Sequence, residues 1–249
     1  MKPAAKTCWV VDLGLVAYDE AFALQRRIVA ARKTDAVPDV LLLCEHPHVI
    51  TLGRSGKREN LLGSEKLLEQ MGVTFCDSDR GGDITYHGPG QLVGYPILNL
   101  AGIRKDVVWY VRRLEEVMIR ATADFGLVAR SVDGKTGVWV ETAGSGAEQL
   151  AAIGVHISRW VTSHGFAYNV ATHLHYFDLI VPCGIRDCRA TSLEKLLGQA
   201  PDFAAASRKI AEHFGEVFGL EMRRSEREEL EAHLAPAEVR EHDLAAARS

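Results

Sequence analysis

The chain has 249 residues, 47% of them apolar and 25% charged, with a net charge of −4. That balance suits one soluble globular domain with a sizeable core and argues against a nucleic-acid partner, which calls for basic character. No stretch approaches the roughly 20 apolar residues of a membrane span, and five scattered cysteines without a CxxC pair suit reduced thiols in a cytoplasmic setting.

Residues 8–16 read as a first strand. Asp12 breaks its apolar run, so it is not read as a secretion signal. Residues 17–33 have helical spacing. Runs 39–46 and 48–54 predict strands, 64–72 a short helix ended by glycine, and 73–79 a further strand. Residues 83–88 alternate, with Ile84 and Tyr86 on one face and Thr85 and His87 on the other. Pro89-Gly90 suits the centre of a type II turn, and 91–100 returns as a strand, so 83–100 predicts a β-hairpin. Residues 106–125 give the clearest helix. Four strands follow, 127–132, 136–142, 149–160 and 161–170, and 176–181 reads as another that leads into Cys183. A Thr191-x-x-Glu194 capping box opens a helix that Gly198 stops. Residues 202–218 form an amphipathic helix. The charged, Ala-rich tail, 224–249, reads as marginal helix or disorder outside a domain of residues 1–223. Strands that follow one another without intervening helices favour an α+β class with a mixed sheet over a Rossmann fold.

Three spots combine polar residues with glycine. Cys183 stands between Pro182 and Gly184, in a loop before a capped helix. Proline restricts the entry and glycine permits close approach, so a nucleophile and a packed thiol are both open. A zinc site from Cys183, Cys188, His173 and His175 matches no common spacing. The run RGGDITYHGPGQ, 80–91, has Arg80 and His87 as polar anchors beside paired glycines. It is no phosphate loop. The third spot is SHGFAYNV, 163–170, with His164. One shared cleft explains all three.

The runs EHPHVITLGR (45–54), RGGDITYHGPGQLVGYPILNL (80–100), TGVWV (136–140), AAIGVHISRWVTSHGFAYNV (151–170) and VPCGI…TSL (181–193) together resemble the octanoyl-acyl carrier protein:protein octanoyltransferases of lipoate biosynthesis. The resemblance spans about residues 8–222. It implies the mixed-sheet fold, flanked by helices, of lipoate and biotin protein ligase catalytic domains. It implies transfer of octanoyl from acyl carrier protein to a cysteine, then to a lysine of lipoyl domains, on 2-oxoacid dehydrogenase E2 subunits and glycine cleavage H protein. It implies no cofactor, no metal, and neither a nucleic-acid nor a membrane partner.

By matched motif, Cys183 takes the acyl-thioester role and Cys188 is a bystander. Arg80, Gly81, Gly82, Asp83, Ile84, Thr85, Tyr86 and His87 match the first substrate-binding run. Ala152, Ile153 and Gly154 match the second, and Gly165, Phe166 and Ala167 the third. Tyr86, Ile153 and Phe166 are expected to line the octanoyl slot. Seven buried carbons contribute on the order of 5 kcal/mol at ~0.8 per methylene.

One position departs. The family carries a lysine that lowers the cysteine's pKa where this chain has Gln149. Glutamine hydrogen-bonds but does not titrate. His164 and His87 are the imidazoles available as a substitute base. A weakly active or non-catalytic acyl-binding paralogue and an ATP-dependent ligase of the same fold are the alternatives. An acidic carrier calls for a basic patch, with Arg104, Lys105, Arg112, Arg113, Arg159, Arg186 and Arg189 as candidates.

Overall fold

The computed structural model describes residues 6–142, 144, 146–181 and 189–235. In chain order the strands are β1 (Lys6–Leu15), β2 (Asp39–Glu45), β3 (Val49–Leu52), β4 (Thr74–Asp77), β5 (Ile84–His87), β6 (Gln91–Ile97), β7 (Ala129–Val132), β8 (Lys135–Thr142), β9 (Gly146–Ser158), β10 (Val161–Asn169) and β11 (Leu220–Arg224). The helices are α1 (Tyr18–Lys33), α2 (Glu65–Gln70), α3 (Val107–Ala123), α4 (Leu193–Leu197) and α5 (Phe203–Phe218).

Eight strands form one mixed sheet in the order β11-β1-β2-β6-β10-β9-β8-β7. The β1 pairs with β2 and β11 are parallel, and the other ladders are antiparallel. Its middle strands are buried on both faces, β6 at every residue, as their unbroken apolar runs require. One face packs on α1 through Leu24, Ile28, Leu42, Val93 and Ala167. The other packs on α3 and α5 through Tyr110, Leu114, Ile210, Phe214, Phe166 and Tyr168. Asp106 and Asp202 cap those two helices, accepting from Trp109 N at 2.9 Å and Ala204 N at 3.1 Å, which satisfies amides the helix start leaves open. A smaller sheet, β4-β3-β5, encloses a third cluster with Leu68, Tyr86, Leu179 and Ile180.

Four expectations need correction. The 83–100 stretch is not a hairpin: β5 pairs with β3 in the small sheet, while β6 lies between β2 and β10 in the large one. The turn between them does form, with Gln91 N donating to Gly88 O at 3.1 Å and Gly90 at φ 79°. Turn chemistry reverses the chain without fixing the strand that each arm joins. The apolar run 176–181 is no strand, because Leu174–Leu179 winds as a 3-10 helix. Its apolar groups meet Tyr86 and Leu68 in the third cluster. The cap of α4 is Ser192, one residue later than expected, accepting from Lys195 N at 3.2 Å. The tail was expected outside the core, yet its start is not. Helix 227–235 buries Leu230 and Leu234 against α1 and β1.

Among the described residues no helix is long and apolar enough to cross a membrane. The described cysteines Cys8, Cys44 and Cys76 are unpaired.

Candidate functional site: a pocket between two sheets

Because β5 and β6 diverge into different sheets, a gap opens between them. Glycines set how closely its walls meet. Gly81 N donates to Val155 O at 3.0 Å, tying the 80–83 loop to β9. At Gly154 a Cβ would stand 2.8 Å from Gly81 O, so only glycine fits this seam. Across β10 and β6, a Cβ on Gly94 would enter the Phe166 ring, at 2.1 Å. That ring therefore lies over Gly94.

Arg80 is an internal brace. Its guanidinium donates to Thr51 O at 2.7 Å, to Thr51 Oγ1 at 2.9 and 3.1 Å, and to Gly81 O at 3.1 Å. Asp83 holds the opposite side, accepting from Asn60 Nδ2 at 2.6 Å and Lys57 N at 3.1 Å.

The pocket is open on one side, and its empty volume of about 510 Å³ includes the solvent at its mouth. All three sequence runs contribute: Arg80, Gly82, Asp83, Ile84, Thr85 and His87 from the first, Ala152, Ile153 and Gly154 from the second, and His164, Gly165, Phe166 and Ala167 from the third. Gly81 acts as the seam. Tyr86 turns the other way. It is fully buried in the third cluster, stacked on Tyr176 with centroids 5.0 Å apart, and hydrogen-bonded to His48 at 2.7 Å. It does not line the pocket, whereas Thr85 and His87, on the opposite face of β5, do.

Tyr18, Val93 and Tyr95 complete the lining, and the sequence reading missed them. A tyrosine at each of two apolar segments was the available signal.

Burial favours the neutral form of the imidazoles and of Tyr95 around the pocket. His46 Nδ1 donates to Val16 O at 2.7 Å, so its Nε2 accepts from the Tyr95 hydroxyl at 2.7 Å. Burial lowers the His46 pKa and raises that of Tyr95 well above its usual value. His164 donates through Nε2 to Asp79 Oδ1 at 2.6 Å. Burial still pulls its imidazole pKa down against the pull of Asp79. Burial tends to raise the Asp79 carboxyl, and the His164 hydrogen bond overrides it, leaving it below the usual range. His164 Nδ1 is buried with no partner among the described residues. The residue sits at φ 54°, a costly region for a non-glycine.

Gln149 lies three residues before Ala152 on β9, at a register break. Val138 faces Ala151 while Trp139 faces Gln149, so Leu150 is the extra residue of a bulge. Gln149 is buried, and its Nε2 donates to Thr136 O at 3.3 Å. Its main chain grips the segment that follows the Pro-Cys-Gly run. Gln149 N donates to Arg189 O at 2.8 Å, and Thr191 N to Gln149 O at 2.9 Å. On the entering side, Val181 N donates to Asn60 O at 2.8 Å. Cys183, Cys188 and Arg186 lie outside the described residues. Among those described, no group of three potential ligands is placed to hold a metal.

Four of the basic candidates can be placed by their contacts or position. Arg104 and Arg113 lie over the Trp109 ring, Arg112 pairs with Glu115 at 2.7 Å, and Arg159 is in the β9–β10 turn.

Residues 17–215 match the lipoyl protein ligase A/B catalytic domain. The chain is 47% identical over 217 residues to an octanoyltransferase of Solibacter usitatus, covering 87% of this chain and 96% of the relative. It is 50% identical over 222 residues to an octanoyltransferase of Acidobacterium capsulatum, covering 84% and 89%. Among solved structures, a bipartite lipoate protein ligase of Thermoplasma acidophilum superposes with a TM-score of 0.73 at 14% identity, covering 93% of this chain and 91% of that one. A lipoate-protein ligase A bound with ATP gives 0.71 at 14% identity, covering 93% of each. The fold is thus that of the lipoate ligases, and the chain belongs to the lipoyl protein ligase A/B catalytic-domain family, as an acyltransferase among its octanoyltransferases.

Proposed function

We propose that the protein moves octanoyl from acyl carrier protein to Cys183 and from there to a lysine of a lipoyl domain. The lipoyl domains of 2-oxoacid dehydrogenase E2 subunits and glycine cleavage H protein are the acceptors in this reading. The observation that carries it is the pocket: apolar along Val93, Ile153, Phe166 and Ala167, and built from three separate runs. Three residues of β9 separate its wall at Ala152 from Gln149, about 10 Å at ~3.3 Å per residue, a distance an eight-carbon chain spans. Gln149 in turn holds Arg189 and Thr191, six and eight residues beyond Cys183 in sequence.

The chemistry balances without ATP. The Cys183 thiolate attacks the donor thioester carbonyl, the carbon–sulfur bond to the carrier breaks, and the carrier thiol leaves with a proton. The lysine amine then attacks the new thioester, loses a proton, and the Cys183 sulfur departs. Thioester to thioester is nearly isoenergetic and thioester to amide runs downhill. A covalent intermediate splits one hard transfer into two easier ones.

Gln149 supplies no charge to Cys183. An unperturbed thiol of pKa ~8.5 is about 3% ionised at pH 7, which limits this loss to roughly 30-fold. A missing general base costs more, ~10²–10⁴-fold, and falls on the aminolysis step.

The test is transfer from octanoyl-acyl carrier protein to a lipoyl domain without nucleotide, read as the mass of the domain. Transfer that Cys183→Ser abolishes supports the reading. Transfer only with ATP and free acid would make the chain a ligase.

A further inference from the structure

Gln91 and Asn169 are polar residues inside strands that are otherwise apolar, and both are buried. Neither lines the acyl pocket. Their side chains form a chain of hydrogen bonds whose direction is fixed at one end. The Thr191 carbonyl only accepts, so Asn169 Nδ2 donates to it, at 2.9 Å. Asn169 Oδ1 must then accept from Gln91 Nε2, at 2.9 Å. The same Nε2 donates to Tyr86 O at 3.2 Å. This leaves Gln91 Oε1 as an acceptor, and the group it meets is His87 Nδ1, at 2.8 Å.

A backbone carbonyl thereby dictates a tautomer at the far end of the relay. His87 carries its hydrogen on Nδ1 and a lone pair on Nε2. His87 lines the pocket, and among the described residues its Nε2 has no hydrogen-bond partner. The ring is clamped between flat neighbours, stacked on Tyr18 at 6.2 Å and edge-on to His46 at 5.9 Å. Burial, with His46 and Arg80 nearby, pushes its pKa down to about 3, so it is neutral throughout the physiological range. It suits accepting a hydrogen bond better than carrying a proton. At the other end, Thr191 also bonds to Gln149, which holds Arg189. The relay thus joins the pocket wall to the chain leaving the 182–188 run.

We propose that Gln91 and Asn169 are positioning residues for the transfer: they lock His87 as the Nδ1–H tautomer, so that its Nε2 is a fixed hydrogen-bond acceptor for the amine N–H of the lysine that attacks the acyl-enzyme. This rests on the acyl-transfer reading of the pocket. The hydrogen bond orients the amine lone pair toward the thioester carbonyl and involves no net proton transfer to His87. The role falls at the aminolysis step, where Gln149 leaves the chain without its family's lysine.

The first test needs no substrate. Nitrogen-15 NMR of the free, histidine-labelled protein reads the tautomer. A pyrrole-type Nδ1 and pyridine-type Nε2 at His87, unchanged from pH 5 to 8, are expected, and an Nε2–H ring would overturn the proposal. The second test is aminolysis of preformed octanoyl-enzyme by a lipoyl domain. Gln91→Met removes the acceptor at Nδ1, releases the tautomer, and slows aminolysis about 10–100-fold, with a smaller effect on acylation of the enzyme by its donor. Asn169→Asp still accepts from Gln91 but does not donate to Thr191, so it keeps the His87 signal while loosening the chain beyond Cys183. A Gln91→Met protein with a released tautomer and unchanged aminolysis would refute the role. If Gln91→Met does not fold, the wild-type tautomer still decides. Failure of the wild type to form any octanoyl-enzyme would strike the acyl-transfer reading instead, since the tautomer is read without it.

Discussion

The two sheets are built on opposite principles. The large one is stabilised by area: β6 is buried at every residue, and clusters of aliphatic and aromatic side chains cover both faces. The small one has four-residue strands, braced internally by Arg80 and the Asp83 contacts, and the Gly81–Val155 bond ties its loop to β9 of the large one. Apolar burial is tolerant of composition but indifferent to exact distances. Hydrogen bonds and glycine seams fix distances but contribute only about 1 kcal/mol each. The site lies where the two meet, taking its depth from the large sheet and its shape from the small one.

The most severe break removes the chemistry and leaves both sheets alone. Cys183→Ser should fold as the wild type and lose transfer by at least ~10³-fold, as loss of a covalent nucleophile does. Measured transfer within tenfold of wild type would contradict this.

Next comes the seam. Gly154→Val places a branched side chain against the Gly81 carbonyl, where a Cβ alone would stand at 2.8 Å. Overpacking of this kind costs about 1–3 kcal/mol, and thermal unfolding should show it. Because the seam also shapes the pocket, octanoyl transfer should fall further than stability explains.

Acid should loosen the same junction. His87, His46 and His164 all have folded-state pKa values below the unfolded imidazole value, His87 at about 3. Below pH ~6.5 the unfolded chain binds protons that the folded one does not, so stability falls with pH across the window from ~6.5 to ~3, by about 1.4 kcal/mol per pH unit for His87 alone. Asp79, held below its usual range, loses its stabilising contribution progressively as pH falls from the unfolded carboxyl value of ~3.9 through its own lowered value. A melting temperature that is flat from pH 6.5 to 4.5 would show that these rings are not buried neutral.

The last test concerns Gln149. Gln149→Lys should raise acylation of the enzyme at pH 7 by up to about 30-fold and shift the acylation pH profile to lower pH, as a charge beside the thiol lowers its pKa. An unchanged profile would mean that another group already supplies the charge.

Much of the large sheet was legible because buried strands are short apolar runs between turn residues. β8, β9 and β10 follow one another in sequence and pair in that order. What escaped was partnership. Pro89-Gly90 marks a turn, and nothing local says that β5 will leave β6 for β3. Residues 176–181 have a strand's apolarity, yet their contacts favour a compact 3-10 turn. Helix 227–235 escaped because Leu230 and Leu234 are sparse among charges, and only the i, i+4 spacing hints at one buried stripe. At the site, the three glycine-bearing runs were visible as motifs. Tyr86 was misplaced because alternation defines two faces without saying which one meets the ligand. Gln91 and Asn169 escaped as polar interruptions of apolar strands, a signal that gains meaning only when both are seen to reach His87 and Thr191.

The most direct measurement is the intact mass of the protein after mixing with octanoyl-acyl carrier protein, with Cys183→Ser alongside. The account predicts a gain of one octanoyl group in the wild type and none in the variant. A folded wild-type protein that gains no mass, or a variant that gains the same mass, would contradict it.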